Sequence, residues 1–126
     1  MKALSLWPGY ALEVLSGEKT IEYRTWRTHH RGDLLICATA KKVSGTIPGH
    51  ALVVVNLVDV IRKGDRDFEW VFTDPRPIYP LPVKGQQGLF NVDDSEIKYI
   101  PDEILYGDID DYNVFWYTVF EPLILE

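Results

Sequence analysis

The stretch GEKTIEYRTWRTHHRG, residues 17–32, joins charged and aromatic side chains between two glycines. Alternation along a strand over residues 20–24 places Glu22 and Arg24 on one face and Ile21 and Tyr23 on the other. The carboxylate and the guanidinium then lie about 6 to 7 Å apart along the backbone. They can therefore pair with each other as a half-buried ion pair that orients an edge strand, or they can jointly hold a ligand.

A strand and a helix are predicted immediately before this stretch. Residues 3–6 are apolar enough for a short strand, and Pro8 is well placed to open a helix. The helix should end at Gly17, because glycine readily takes the left-handed conformation that follows a helix end. Lys19 is thus expected to emerge just beyond the helix.

Further strands are predicted downstream, at residues 34–40, 50–61, 78–83, 89–92 and 114–120. Residues 50–61 are rich in β-branched side chains and long enough to bend across a barrel. Prolines confine residues 78–83 to an edge or an irregular strand, and residues 68–72 fit either a helix or a strand. Several strands with few helices predict an α+β, mainly β, fold: a small closed or nearly closed β-barrel with one or two packed helices.

Length and composition fit one domain spanning residues 1–126, with 46% hydrophobic residues. Cys37 is the only cysteine, which rules out an internal disulfide and a cysteine-based zinc site. It lies in an apolar run, where we expect a buried, unreactive thiol. No apolar stretch approaches the ~20 residues needed to span a bilayer, so no membrane association and a cytoplasmic location are expected; the oligomeric state is left open.

The formal net charge of -6 is unevenly distributed. Residues 2–42 carry seven lysines and arginines against four acids, whereas residues 93–126 carry one lysine against ten acids. An acidic protein is a poor match for loose binding along a phosphate backbone. A nucleic acid would have to be held in a locally basic cleft of the first half.

The spacing of Gly17, Lys19, Glu22 and Arg24 resembles the G-x-K-x-x-E-x-R signature of the ASCH family. Trp7-Pro8 and residues 34–40 extend the likeness, and the block PVKGQQGLF at residues 82–90 is similar to a late lysine-glycine turn and closing strand of the family. The resemblance covers residues 3–92 and leaves residues 93–126 as an acidic, aromatic extension. It implies a barrel like that of pseudouridine synthase and archaeosine transglycosylase (PUA-like), with a cleft between the first helix and the barrel.

The candidate site residues combine the signature with nearby rings and cations. Lys19, Glu22 and Arg24 can hold a phosphate or the polar edge of a base, and tryptophans can stack on it. Cations beside glycines can extend a basic rim, although solvated lysines and core tryptophans are the alternative. The predicted ligand-binding set is Trp7, Lys19, Glu22, Arg24, Trp26, Arg31, Lys41 and Lys84.

No metal or cofactor is predicted. The adjacent side chains of His29 and His30 diverge on an extended chain, and no third ligand stands at a telling spacing.

The resemblance implies a module that binds RNA, a nucleotide or a modified nucleoside. The alternative is a small hydrolase acting on a modified nucleoside or on RNA, with Lys19 and Glu22 as a catalytic acid-base pair. Some family members deacylate N4-acetylcytidine with a threonine three residues after the lysine, but Glu22 occupies that position here. An interaction domain that works through residues 93–126 is a third hypothesis, so the sequence leaves open whether the protein is an enzyme.

Overall fold

The computed structural model describes all 126 residues as one mixed sheet with helices. The strands are β1 (Lys2–Leu6), β2 (Ile21–Arg24), β3 (Gly32–Ala38), β4 (His50–Gly64), β5 (Asp67–Pro82) and β6 (Leu89–Asn91). The α-helices are α1 (Pro8–Ser16), α2 (Asp102–Leu105) and α3 (Ile109–Phe115). Short 3-10 turns lie at Asp94–Glu96 and Glu121–Leu123, and a π-helical turn at Trp116–Phe120 continues α3.

The six strands form one sheet in the order β2-β5-β4-β3-β1-β6. β1 and β3 are parallel, and every other neighbouring pair is antiparallel. This architecture confirms the predicted α+β, mainly β, class. The sheet is not closed, because β2 and β6 are its two ends and are not paired with each other, so the predicted barrel is not confirmed.

β4 and β5 form a long hairpin that replaces several shorter predicted elements. β5 runs without a break from Asp67 to Pro82, and register shifts at four points of its pairing with β4 let the two strands bend. β2 pairs only with Phe68–Val71, so the proline-containing part of β5 meets only an isolated bridge on that side. The missing proline N–H groups therefore interrupt no second ladder, as expected for prolines at an edge.

Helix α1 has the predicted boundaries. Pro8 occupies its first turn, where no N–H donor is needed. Gly17 follows its end with φ at 84°, a conformation that other residues adopt only with strain. Ala11 and Val14 are buried against the sheet, so the helix covers part of one sheet face.

Apolar side chains cover both faces of the sheet. Along β3, Leu34 and Ile36 join the larger core cluster with α1, whereas Leu35 and Cys37 join a smaller cluster on the opposite face. Both faces of the sheet are therefore buried at β3, which explains the continuous apolar run of this strand. Burial raises the pKa of the Cys37 thiol to about 12.

The strand predicted for residues 114–120 is wrong, because this segment is helical. Asp108 caps α3 by accepting a hydrogen bond from the Asp110 amide at 2.7 Å. Phe115 and Phe120 are buried on one side of the segment, while Val114 and Tyr117 are exposed on the other. Packing on the sheet therefore selects helix despite β-favouring residues. None of the helices is both long and apolar enough to cross a membrane.

Candidate functional site

The signature begins in a turn that is held against the end of α1. After Gly17 reverses the chain, the Lys19 amide donates to the carbonyl oxygen of Glu13 at 3.0 Å. The Lys19 ammonium lies 4.7 Å from the centre of the Tyr10 ring and 5.5 Å from the centre of the Tyr23 ring. Both distances allow an attraction between the cation and the face of each ring, so Lys19 is held between α1 and β2.

Glu22 is a buried carboxylate with a cation at each oxygen. It is 7% exposed and lies opposite Trp70 in the pairing of β2 with β5. Its Oε1 is 3.3 Å from Lys19 Nζ, and its Oε2 is 2.9 Å from Arg24 Nε. A buried charge needs such partners. Because two cations surround one carboxylate, the cluster carries one net positive charge.

The guanidinium of Arg24 reaches from β2 to β1, which is not its neighbour in the sheet. Its Nη2 donates to the carbonyl oxygen of Ser5 at 2.8 Å. β6 pairs with β1 only over Lys2–Leu4, so the Ser5 carbonyl lies where β1 has no strand neighbour on that side. Arg24 therefore supplies the hydrogen bond that a strand would otherwise provide, and it connects β2 with β1 across the open side of the sheet.

A cleft of about 810 Å³ opens at this bridge, and we call it the basic cleft. Its walls come from three parts of the chain: β1 with the end of β3, the signature strand, and the turn that precedes β6. The lining residues are Leu4, Ser5, Arg24, Trp26, Thr39, Ala40 and residues 83–88. Two of them, Arg24 and Lys84, are cations and none is acidic, so the cleft is positive on an acidic protein.

Trp26 belongs both to the core and to the basic cleft. Its ring packs edge-on against the buried ring of Trp70, with ring centres 4.8 Å apart. The indole N–H of Trp70 donates to the carbonyl oxygen of Trp26 at 3.2 Å. The remaining surface of Trp26 lines the cleft, so packing holds an aromatic ring in the cleft wall.

Other predicted site residues lie outside the basic cleft. Trp7 is 43% exposed and packs edge-on against Tyr10, with ring centres 5.2 Å apart. Arg31 donates from Nη1 to the carbonyl oxygens of Thr28 and His30 at 2.9 Å. Lys41 is exposed next to a residue of the cleft rim but does not line the cleft. Lys19 and Glu22 lie behind Arg24 and do not line it either.

The structure adds cleft residues that the sequence did not single out. Ser5 lines the cleft from β1, and Gln86 and Gln87 line it from the turn between Gly85 and Gly88. Ser5 resembles any small residue of a strand, so only its position beside Arg24 distinguishes it. Two glutamines between glycines beside Lys84 were an available signal, because this composition suits a turn that approaches a ligand closely.

No group of three histidine, cysteine, aspartate or glutamate side chains is arranged to hold a metal ion. The His30 imidazole instead contacts the backbone of Asp33, with Nε2 2.8 Å from the carbonyl oxygen. His29 is exposed beside it.

A second cavity, of about 630 Å³, lies between α1 and the C-terminal helices. Its walls are mainly apolar and include Leu12 and Leu15 of α1, Phe115 and Trp116. Lys19, Glu22 and Arg24 do not line this second cavity. The C-terminal segment thus packs beside α1 and does not cover the basic cleft.

Comparison with known proteins gives one family and a set of similar structures. A family model described as the ASCH domain matches residues 4–104. The crystal structure of ASCH from Zymomonas mobilis is similar with a TM-score of 0.60 and 16% sequence identity, covering 75% of this chain and 89% of that chain. Two single-substitution mutants of that protein, one with tyrosine changed to phenylalanine and one with serine changed to alanine, give TM-scores of 0.60 and 0.59, also at 16% identity. These matches cover 75% of this chain and 91% or 89% of the mutant chains. No curated protein matches the sequence significantly.

Proposed function

Because the chain belongs to the ASCH domain family, we propose that it binds RNA, or one nucleotide of it, in the basic cleft. One observation carries this proposal: the cleft holds two cations and no acid although the protein has a net charge of -6. Local positive charge attracts phosphate while the acidic remainder repels it. The proposal includes the cytoplasmic location that the sequence predicts.

Each wall of the cleft has a part in this binding. Lys84, exposed on the turn, contacts a backbone phosphate as a mobile point charge. Trp26 offers a ring that is already fixed by Trp70, so stacking a base on it costs little additional ordering. Arg24, which lines the same cleft, donates to oxygen atoms of the nucleotide.

Glu22 and Lys19 support the site from behind in this proposal. Glu22 holds the guanidinium of Arg24 through the 2.9 Å contact to Nε, and Lys19 balances the other carboxylate oxygen. Their role is to position Arg24, because neither side chain lines the cleft. Trp7, Arg31 and Lys41, which lie outside the cleft, are candidates only for contacts with RNA that extends beyond it.

The test is binding of a short single-stranded RNA, measured by fluorescence anisotropy over a range of salt concentrations. Lys84→Gln should weaken binding and reduce the slope of log affinity against log salt by about 0.7, the value for one lost phosphate contact to a single strand. Lys63→Gln is the matched control, since Lys63 is also exposed but lies at the far end of the β4–β5 hairpin. Equal affinity of both variants and the parent would remove Lys84 from the site.

Arg24→Ala should weaken binding further, but its effect on folding has to be measured in parallel because Arg24 also pairs with Glu22. Thermal unfolding of the same samples separates the two effects. If a folded Arg24→Ala protein bound RNA as well as the parent, the assignment of the cleft would be wrong.

The hydrolase is the second candidate, and the 3.3 Å contact between Lys19 Nζ and Glu22 Oε1 is the observation in its favour. A lysine beside a carboxylate can move a proton to or from water. Mass spectrometry after incubation with N4-acetylcytidine and with single-stranded RNA tests it. A product that disappears in Lys19→Ala would make this protein an enzyme, whereas unchanged substrates together with retained RNA favour the binding module.

A further inference from the structure

Two buried polar atoms of the basic cleft have no hydrogen-bond partner in the protein. They are the hydroxyl oxygen of Ser5 and Nε of Arg24. The Nε atom lies 2.9 Å from Glu22 Oε2, but the contact is an ion pair without hydrogen-bond geometry. Buried polar atoms are nearly always paired, and an unpaired one costs about 1 to 3 kcal/mol. The carboxylate of Glu22 compensates the charge at Nε, whereas the Ser5 hydroxyl has neither a hydrogen-bond partner nor a charged neighbour of this kind, which indicates a donor kept for a ligand.

The Ser5 hydroxyl and the Arg24 guanidinium lie beside each other in the fold. Nη2 of Arg24 is 2.8 Å from the carbonyl oxygen of Ser5, so the guanidinium is next to the backbone that carries the serine hydroxyl. Both residues line the basic cleft. Because a guanidinium N–H and a hydroxyl both donate, the group that fits between them is an acceptor oxygen.

Gly85 covers the Ser5 hydroxyl. A Cβ atom added at Gly85 would lie 2.7 Å from Ser5 Oγ and 3.6 Å from Ser5 Cβ, so the turn approaches this closely only because residue 85 has no side chain. The hydroxyl is consequently shielded from solvent although it belongs to the cleft wall.

The turn at residues 84–88 is held by few interactions. Before it, the Val83 amide donates to the carbonyl oxygen of Gly49 at 3.0 Å, and after it Leu89 pairs with Leu4. Residues 84–88 themselves are exposed and form no hydrogen bond or ion pair with the rest of the protein. A segment with so few contacts opens at low cost compared with the sheet.

We propose that Ser5 and Arg24 form a recognition subsite for an acceptor oxygen of the bound nucleotide, and that the turn at residues 84–88 moves aside to admit it. This inference rests on the proposed function and names the chemistry that the cleft selects. A carbonyl oxygen of a base and a phosphate oxygen share that chemistry. Once the ligand oxygen is in place, it accepts the hydrogen bond that the Ser5 hydroxyl leaves unmade and lies beside the positive charge of Arg24.

The first test is the affinity of Ser5→Ala for a short labelled oligouridylate. Loss of one hydrogen bond should weaken binding about threefold to tenfold, whereas Ser44→Ala, at an exposed serine outside the cleft, should bind as the parent does. Competition separates the two sources of the oxygen. If the oxygen belongs to the base, uridine should compete with the oligouridylate for the parent protein and compete more weakly for Ser5→Ala. If the oxygen belongs to a phosphate of the backbone, inorganic phosphate should show this behaviour instead.

The second test examines the turn through association rates. The added methyl group of Gly85→Ala would lie 2.7 Å from Ser5 Oγ, so either the turn or the hydroxyl must shift. Because the turn is exposed and held by few interactions, we expect the turn to shift, and this variant should associate with the oligouridylate several times faster. In Ser5→Ala/Gly85→Ala, the 3.6 Å separation of the two Cβ atoms is an ordinary contact. The double variant should therefore close again and associate as slowly as Ser5→Ala.

Several results would overturn the inference. They are unchanged affinity of Ser5→Ala, an unchanged or slower association rate of Gly85→Ala, or a clearly lower Tm of Ser5→Ala without ligand, since an unpaired hydroxyl has no stabilising role. These results leave the proposed function intact if the parent binds RNA. Failure of the parent itself to bind the oligouridylate would overturn the proposed function, and this inference with it.

Discussion

The sheet and the C-terminal helical segment, residues 102–123, bury their side chains in different ways. The strands alternate between two apolar clusters, so that β3 is buried over its whole central part. The C-terminal segment buries only one stripe, in which the ring of Phe120 is stacked on Trp116 at 5.1 Å and meets Phe115 at 5.6 Å. Ile109 and Tyr117 on its other side are exposed.

Polar groups differ between the two regions as well. The sheet encloses a carboxylate, Glu22, between Lys19 and Arg24, whereas the acids of the C-terminal segment lie at the surface. A buried charge constrains its neighbours because losing one partner leaves the others unpaired. The sheet region should therefore tolerate polar substitutions poorly, while the C-terminal segment should depend on a few aromatic contacts.

The largest effect is expected from Glu22→Gln. Removing the carboxylate leaves Lys19 and Arg24 without their shared partner, which should lower the free energy of unfolding by about 3 to 5 kcal/mol. Urea unfolding measures the change. Glu18→Gln, at an exposed position of the same turn, should stay within about 0.5 kcal/mol of the parent; equal effects of the two substitutions would show that the buried cluster is not important for stability.

Phe120→Ala should have the next largest effect, about 2 to 3 kcal/mol. A phenylalanine in a fully enclosed core costs about 3 to 5 kcal/mol when truncated, but Phe120 packs partly on Trp116, which is itself half-buried. Tyr117→Ala is the control on the exposed side and should change stability by less than about 0.5 kcal/mol. A larger loss from Phe120→Ala than from Glu22→Gln would reverse the ranking of the two regions.

A smaller effect is expected from the buried thiol of the sheet at high pH. Burial raises the pKa of Cys37 from its usual 9.0 to about 12, so the folded state keeps its proton where the unfolded state loses it. The stabilising contribution is complete below pH 9 and is lost as the pH rises from 9 to 12. At pH 10 the loss is about 1 kcal/mol, and Cys37→Ala should show a correspondingly smaller decrease in unfolding free energy between pH 8 and 10.

The smallest effect is expected at the surface, where the sheet gives way to the C-terminal residues. The Ser95 amide and hydroxyl both donate to Asp93 Oδ1, at 2.9 and 2.8 Å, and lower the pKa of that carboxyl. Ser95→Ala removes the hydroxyl and keeps the amide. NMR titration should show the Asp93 pKa rising toward its usual value without reaching it; no rise would mean that the hydroxyl donates elsewhere.

Local signals predicted much of the first half of the chain. Pro8 and Gly17 set the ends of α1, and β-branched residues set β4. The strand predicted at residues 114–120 is wrong because the prediction depended on the β-favouring composition of the segment. The spacing of its apolar side chains is helical instead, as the positions of Tyr112, Phe115, Trp116 and Val119 show. Asp108 was also a visible N-cap. The elements predicted at residues 68–72 and 78–83 both lie in β5, but the sequence did not show that they form one strand, because pairing with β4 continues through residues 73–77.

The sequence by itself determined the family, the first helix, the signature strand and the alternation that puts Glu22 and Arg24 on one face. Only the tertiary structure decided that this polar face points inward, because its burial depends on β5 and α1. It also decided that Arg24 meets Ser5 and that Gly85 lies over the Ser5 hydroxyl. Those contacts join residues far apart in the chain, and no local pattern encodes a distance set by the packing of a whole sheet.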